Sequence, residues 1–252
     1  MLASILAAAT LAATPVWKPV QAGVDYATLP LGAGSTAVVH VVRVDPSRAR
    51  LAARFASTGP SRARTAAAWC EEEGLAVAIN LGMYQEDLRS NVGYARADGH
   101  VNHGRWVSSY KSAIAFGPKR KGLPPAAMVD LDAADARRSL DDYDAVIQNL
   151  RLLKGPGVNV WAEAGERWVE AAIAADREGR ILFLFVPTAF SMRDLNARLL
   201  ALPLGIVRAM HAEGGSEASL SIRGNGLKVD LSGSGGGAQW PIPNVLGVLR
   251  QR

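Results

Sequence analysis

A chain of 252 residues that is 49% hydrophobic can bury a sizeable core, as one large domain or two small ones. Its net charge of +5 favours an anionic substrate, but the one basic cluster, GPKRKG at 117–122, reads as a solvated loop, which argues against a nucleic-acid groove of alternating basic and aromatic residues. A single cysteine, Cys70, rules out an intrachain disulfide and any cysteine-rich metal centre.

The apolar run over residues 2–13 has the length of a secretory signal and is too short to span a bilayer. VQA before Gly23 is a small-x-small cleavage pattern, and Ala12-Ala13 offers an earlier one. No Lys or Arg precedes the run, so a buried helix is the other reading. The expectation is a signal peptide over 1–22, a single domain over 23–252, and a periplasmic or secreted protein with no membrane-spanning segment.

From there β-branched runs predict strands over 35–45 and 50–57. A helix follows, from a Ser61 cap through the Ala-rich run to Gly74, and it should bury Cys70 as a structural thiol. Residues 75–80 (LAVAIN) read as a buried strand, and ADG at 97–99 as a hairpin turn in a polar segment. Strands over 112–117, 144–149 and 158–161 surround a short polar helix within 131–143. Two apolar strands flank DREG, a hairpin in which Gly179 supplies positive φ. A helix capped by Ser191 and Asp194 runs to Pro203, and strands over IVRAMHA, SLSI and LKVDL lead to a flexible SGSGGGAQ loop and the closing WPIPNVLGVL. Strands outnumber helices and most neighbours join through short turns. The fold class is therefore α+β, with a mixed, largely antiparallel sheet and a few packed helices.

Chemistry concentrates around AEGGSEAS. A strand that ends in Glu213 and runs into Gly214 and Gly215 puts a carboxylate at a sheet rim, with backbone N–H groups able to approach a ligand oxygen. Glu217 can return to the same pocket, and two acids there can divide acid and base roles; a hairpin with polar corners is the plainer alternative. Asn80 ends an apolar strand, where a buried amide needs partners, and Tyr84 and Asp87 follow on a loop. Gln148, Asn149 and Arg151 end another strand, Arg151 being suited to bidentate phosphate or carboxylate recognition, or to pairing with a nearby surface acid. His211 alternates with Glu213 and by strand periodicity shares its face. His100 and His103, three apart, read as exposed turn residues rather than metal ligands. No cofactor is expected, although Glu170, Glu213 and Glu217 offer hard oxygen ligands to a divalent metal.

Taken in order from residue 37 to the end, these segments resemble the phosphodiester glycosidase family. INLGMY resembles its Ile-Asn-Gly-Gly-Phe motif through Asn80 and Gly82, and NVGYARADGHV its Gly-then-Asp-Gly hairpin through Gly93, Asp98 and Gly99. VEAAIAADREGRILFLFV is similar to its Arg-Thr-Ala-Ile-Gly strand and hairpin, and AEGGSEASLSI to its Leu-Asp-Gly-Gly-Gly-Ser-Ser motif, which includes Ser219. The chain departs from that pattern with Glu213 for Asp, Ser216 for the third Gly, Glu217 for the first Ser, Glu170 for Arg and Ala174 for Gly. The resemblance implies hydrolysis of a glycosyl phosphodiester or related glycosidic bond on a carbohydrate or glycosyl-phosphate substrate. Glu213 would be the base or charge stabiliser and Glu217 the second carboxylate. Gly214, Gly215, Asn80, Gly82, Tyr84, Asn149 and Ser219 would hold substrate, and Arg151 would hold phosphate in place of the missing Arg. A non-catalytic carbohydrate-binding protein and a metal-dependent phosphodiesterase are the other two classes the sequence allows.

Overall fold

The structure is a computed structural model that describes residues 14–59 and 62–251. The apolar run over 2–13 and the expected cap Ser61 lie outside the described residues. Runs of β-branched and aromatic residues, cut by glycine turns, give the early strands β1 (Lys18–Gln21), β2 (Val24–Pro30), β3 (Val38–Val44) and β4 (Leu51–Phe55). Helix α1 (Ala66–Glu72) follows, then β5 (Leu75–Asn80), β6 (Ala95–Ala97), β7 (His100–His103), β8 (Ser112–Pro118) and β9 (Ala126–Asp130). After α2 (Ala136–Leu140) come β10 (Tyr143–Asn149), β11 (Arg151–Lys154), β12 (Val158–Asn159), β13 (Trp168–Asp176) and β14 (Ile181–Phe190). Helix α3 (Met192–Leu200) precedes β15 (Ile206–Gly214), β16 (Ser219–Gly224), β17 (Leu227–Ser232) and β18 (Asn244–Leu249).

The strands form three sheets, ordered β1-β2-β3-β14-β13-β15-β11-β12, β7-β6-β10-β8-β9 and β17-β16-β5-β18-β4. Among the described residues every pairing between these strands is antiparallel, so the expected mixed sheet is corrected to antiparallel throughout and the fold is richer in β than a balanced α+β protein.

Period-2 alternation gives each sheet two apolar faces. The inner faces meet in one central core that takes Ile173 and Phe183 from the first sheet, Ile114 and Ile147 from the second, and Ile79 and Leu220 from the third. Each outer face is covered by one helix. Leu195 and Leu199 of α3 lie on Ala172 and Leu184, Trp69 and Cys70 of α1 on Ala78 and Val245, and Leu140 of α2 on Val146. Each large side chain buried in this way contributes about 1.5–3 kcal/mol. The helices start where side chains satisfy their free N–H groups: Thr65 accepts from Ala68 N–H at 3.1 Å and Ser191 from Asp194 N–H at 3.2 Å. Burial, more than the neighbouring acids, pushes the Cys70 thiol up to about 12, consistent with a structural role.

β1 and β2 went unassigned in the sequence. Val20 of β1 is 1% exposed in the central core, and Gln21 Nε2 donates to the Leu249 carbonyl at 2.9 Å. Gly224 is needed beneath this strand, because a Cβ there would lie 2.4 Å from the Val20 carbonyl oxygen. Cleavage after Ala22 would remove β1, whereas cleavage after Ala13 would leave it. A chain beginning at Gly23 is expected to lose about 2–4 kcal/mol in urea unfolding, and the N-terminus of an exported chain, read by mass spectrometry, should precede Trp17.

Candidate active site

The three sheets run out together at one end of the core, and the two glutamates of AEGGSEAS sit at that junction. β15 is irregular there. Ala171 of β13 faces Glu213 and Ala172 faces His211, so Ala212 is an extra residue, a β-bulge. Cross-strand partners share a face. Ala171 belongs to the central core and Ala172 to the layer under α3, so Glu213 turns inward and His211 outward. The shared face expected from simple alternation is corrected by this bulge.

Gly215, at φ 66, then starts a 3₁₀ turn over Gly215–Glu217 that brings the second carboxylate round. Asn80 holds this turn. Its Nδ2 donates to the Glu217 carbonyl at 3.0 Å, and its Oδ1 accepts from Ser219 N–H at 2.7 Å. Ser219 Oγ donates to the same Glu217 carbonyl at 3.1 Å. Asn80 and Ser219 therefore hold the turn, where sequence reasoning had them hold substrate. From the second sheet, Asn149 Nδ2 donates to the Leu81 carbonyl at 2.8 Å, while its buried Oδ1 has no hydrogen-bond partner. Gly82 fits against this amide because a Cβ there would lie 2.4 Å from Asn149 Oδ1. Arg151 is drawn elsewhere: Nη1 donates to Asp132 at 2.6 Å, with Asp130 3.9 Å away. That pairing is the surface-acid partner that the sequence offers as the alternative to phosphate.

Burial pushes the half-buried Glu213 carboxyl up from 4.5 to about 7. The Gly214 N–H, which donates to it at 3.0 Å, and His211 pull the other way, and the negative charges of Glu217 and Glu170 add to the rise. Burial, then Glu213 and Glu217, raises the Tyr84 phenol to about 12; burial, then Glu213, also raises Tyr110. These mutual influences place both acids and both phenols in one electrostatic neighbourhood. Behind Glu213, His211 Nδ1 and Glu170 Oε1 lie 2.7 Å apart, both buried. Burial opposes charge on His211, but Glu170, and then Glu213, outweigh it and raise its pKa. Burial raises Glu170, and His211 only partly offsets this.

Tyr110 and Trp168, whose Cδ1 lies 3.1 Å from the position of a Gly214 Cβ, were not singled out in the sequence. Their loop and strand-start positions carry no local signal. His100 and His103 are half-buried and hydrogen-bonded to Ser57 and Gly93 rather than exposed. Among the described residues no three His, Cys, Asp or Glu side chains are placed to hold a metal ion, and no helix is long and apolar enough to cross a membrane.

The raised Glu213 pKa has a stability consequence. Between about pH 4.5 and 7 the folded chain keeps a proton that the unfolded chain has lost. Stability therefore falls as the pH rises through that window, and the cost is fully present above it. Glu213→Gln retains an acceptor for the Gly214 N–H. It is expected to stabilise the protein by roughly 1–3 kcal/mol at pH 8 and by little at pH 4.5, as read by urea unfolding at each pH.

The model of the phosphodiester glycosidase family matches residues 73–249. No curated protein matches the chain by sequence. Among solved structures, the chain is similar to the catalytic domain of zebrafish N-acetylglucosamine-1-phosphodiester alpha-N-acetylglucosaminidase, auto-inhibited by its pro-peptide. The TM-score is 0.63 at 14% identity, over 93% of this chain and 85% of that one. A hypothetical protein from Synechocystis gives 0.58 at 16% identity, over 92% of this chain and 64% of the other. A Burkholderia pseudomallei protein whose name marks it as a candidate for export gives 0.50 at 11% identity, over 87% and 76%. At these identities the structures share the fold.

Proposed function

The chain belongs to the phosphodiester glycosidase family, and on that premise we propose that it hydrolyses a glycosidic bond of an exported or cell-envelope glycan at the Glu213–Glu217 centre, the family's glycosyl phosphodiesters being the first class to test. The observation that supports this reading is the pair of rim carboxylates: a bulge turns Glu213 inward, burial raises its carboxyl to about 7, and the charge of Glu217, on the Asn80-anchored turn, adds to that rise. A carboxyl poised near neutrality gives or takes a proton during turnover. A second carboxylate activates water and balances the positive charge that grows on the sugar ring as the glycosidic bond breaks. Tyr84 and Tyr110, both held as neutral phenols, supply hydroxyls to the sugar. The apolar run at residues 2–13 supports the exported location.

The test is release of reducing sugar from a panel of glycosides and glycosyl phosphodiesters, with and without chelator. Turnover that survives the chelator and disappears in Glu213→Gln supports the reading. Glycan binding without turnover of any panel member assigns the protein to carbohydrate binding instead, and turnover lost with the chelator assigns it to metal-dependent hydrolysis.

A further inference from the structure

Resting on the glycan reading above, we propose a second binding site on the outer face of the second sheet. The cavity between the Tyr94–Trp106 stack and helix α2 takes a singly charged oxyanion, a phosphate diester or a carboxylate, on a unit of the glycan other than the one that is cleaved. Its volume is about 270 Å³, and its apolar lining is Leu140 and Val146. That is slightly below the usual size of a small-molecule site, so it fits one charged group with its neighbouring carbons.

Arg96, Arg137 and Arg138 all line this cavity, and the first two have unmet donor capacity. Arg96 Nη2 donates to the Leu140 and Tyr143 carbonyls at 3.1 and 3.0 Å, which fixes the cation in place, while its buried Nε has no hydrogen-bond partner. Arg137 is exposed, and its guanidinium carbon lies 4.9 Å from the centre of the Trp106 ring. Among the described residues it makes no ion pair or hydrogen bond. Arg138 pairs with Asp135 at 2.9 Å, and Asp141 also lines the cavity. Three guanidiniums against the carboxylates of Asp135 and Asp141 leave one net positive charge, the complement of a single negative one. Guanidiniums present paired N–H donors to phosphate and carboxylate oxygens. Tyr94 and Trp106 stack with ring centres 4.5 Å apart and planes 5° apart, a wall that holds Arg137 by cation–π attraction.

Gln148 ties this cavity to the hydrolytic centre. Its buried side chain accepts from the Tyr94 and Val107 N–H groups at 3.2 and 2.9 Å and donates to the Val107 and Tyr110 carbonyls, both at 2.7 Å. The segment from Trp106 to Tyr110 is thereby fixed against β10, with Trp106 lining the cavity and Tyr110 in the electrostatic neighbourhood of Glu213. One short loop serves both sites. A glycan that reaches from one to the other presents its charged unit to Arg96 and Arg137 while its scissile bond lies at Glu213.

The experiment titrates dimethyl phosphate, acetate and the neutral probe methyl glucoside into ¹⁵N-labelled protein at constant ionic strength. It reads the indole N–H of Trp106 by NMR, assigned through Trp106→Phe. Saturable shifts are expected with at least one of the anions and not with methyl glucoside, at a Kd of about 1–50 mM for so small a probe, and the tighter anion identifies the charged group. Arg137→Gln, which touches only the Trp106 ring, is expected to keep the fold and weaken this binding about tenfold or more. Arg120→Gln removes an exposed arginine outside the cavity and should leave binding unchanged, as should Glu213→Gln. No saturable shift with either anion, equal shifts with methyl glucoside, equal weakening by Arg137→Gln and Arg120→Gln, or loss of binding in Glu213→Gln overturns this inference. None of these readings needs turnover, so each is distinct from a failure of the hydrolytic reading, which the substrate panel decides.

Discussion

Replacing Glu213 with Gln is expected to lower kcat/KM for glycoside hydrolysis by about a thousandfold, the usual scale of a general acid–base contribution. The substitution preserves shape and keeps an acceptor for the Gly214 N–H, but removes the exchangeable proton. The predicted rise in stability above pH 7 separates this outcome from misfolding. A destabilised Gln variant would lose activity and melt earlier, whereas a site residue held at a cost loses activity and melts later. Glu217→Gln should also impair turnover, and a retained KM would place its contribution in the chemical step.

The second large effect is expected far along the chain. A Cβ on Gly233 would lie 1.8 Å from the Gly215 carbonyl oxygen and 2.9 Å from its carbonyl carbon. Both atoms are backbone, so neither can rotate away. Gly233 N–H also donates to the Ala218 carbonyl at 2.8 Å, and Ala218 N–H to the Gly215 carbonyl at 3.3 Å, which locks the loop onto the turn that carries Glu217. Gly233→Ala is expected to cost about 2–4 kcal/mol in urea unfolding, as an overpacking change against fixed backbone. Because the turn itself must move, kcat should fall about 10- to 100-fold as well. Gly236→Ala is the control. Its Cβ would meet only the Ser234 carbonyl oxygen, at 4.0 Å, and it should change stability by less than about 0.5 kcal/mol.

The sequence made local features legible and hid those that depend on a distant partner. Buried runs such as 75–80, the hairpin around DREG and the Asp98-Gly99 turn, with φ 52 and 74, were readable because their alternation and turn chemistry are contained within a few residues. The carboxylate at the end of β15 was readable for the same reason. The bulge at Ala212 was not, because it exists only in the register between β13 and β15. Asp132 lies 19 residues from Arg151 and Glu170 lies 41 residues from His211, so neither partner is visible in the local sequence. The SGSGGGAQ run reads as flexible by composition, yet Ser232 and Ser234 both donate to the Ala238 carbonyl. Net charge misled in a different way. The surplus of Lys and Arg belongs to the whole chain, while the site itself gathers carboxylates and phenols.

Convergence of the two rim acids is open to direct titration by NMR of carboxyl-¹³C-labelled glutamate, in the wild type and in Glu217→Gln. Glu213 should titrate near pH 7, and its midpoint should fall when the charge of Glu217 is removed. A Glu213 midpoint at the ordinary glutamate value, unmoved by Glu217→Gln, would mean that the two acids face different surroundings and form no common catalytic centre.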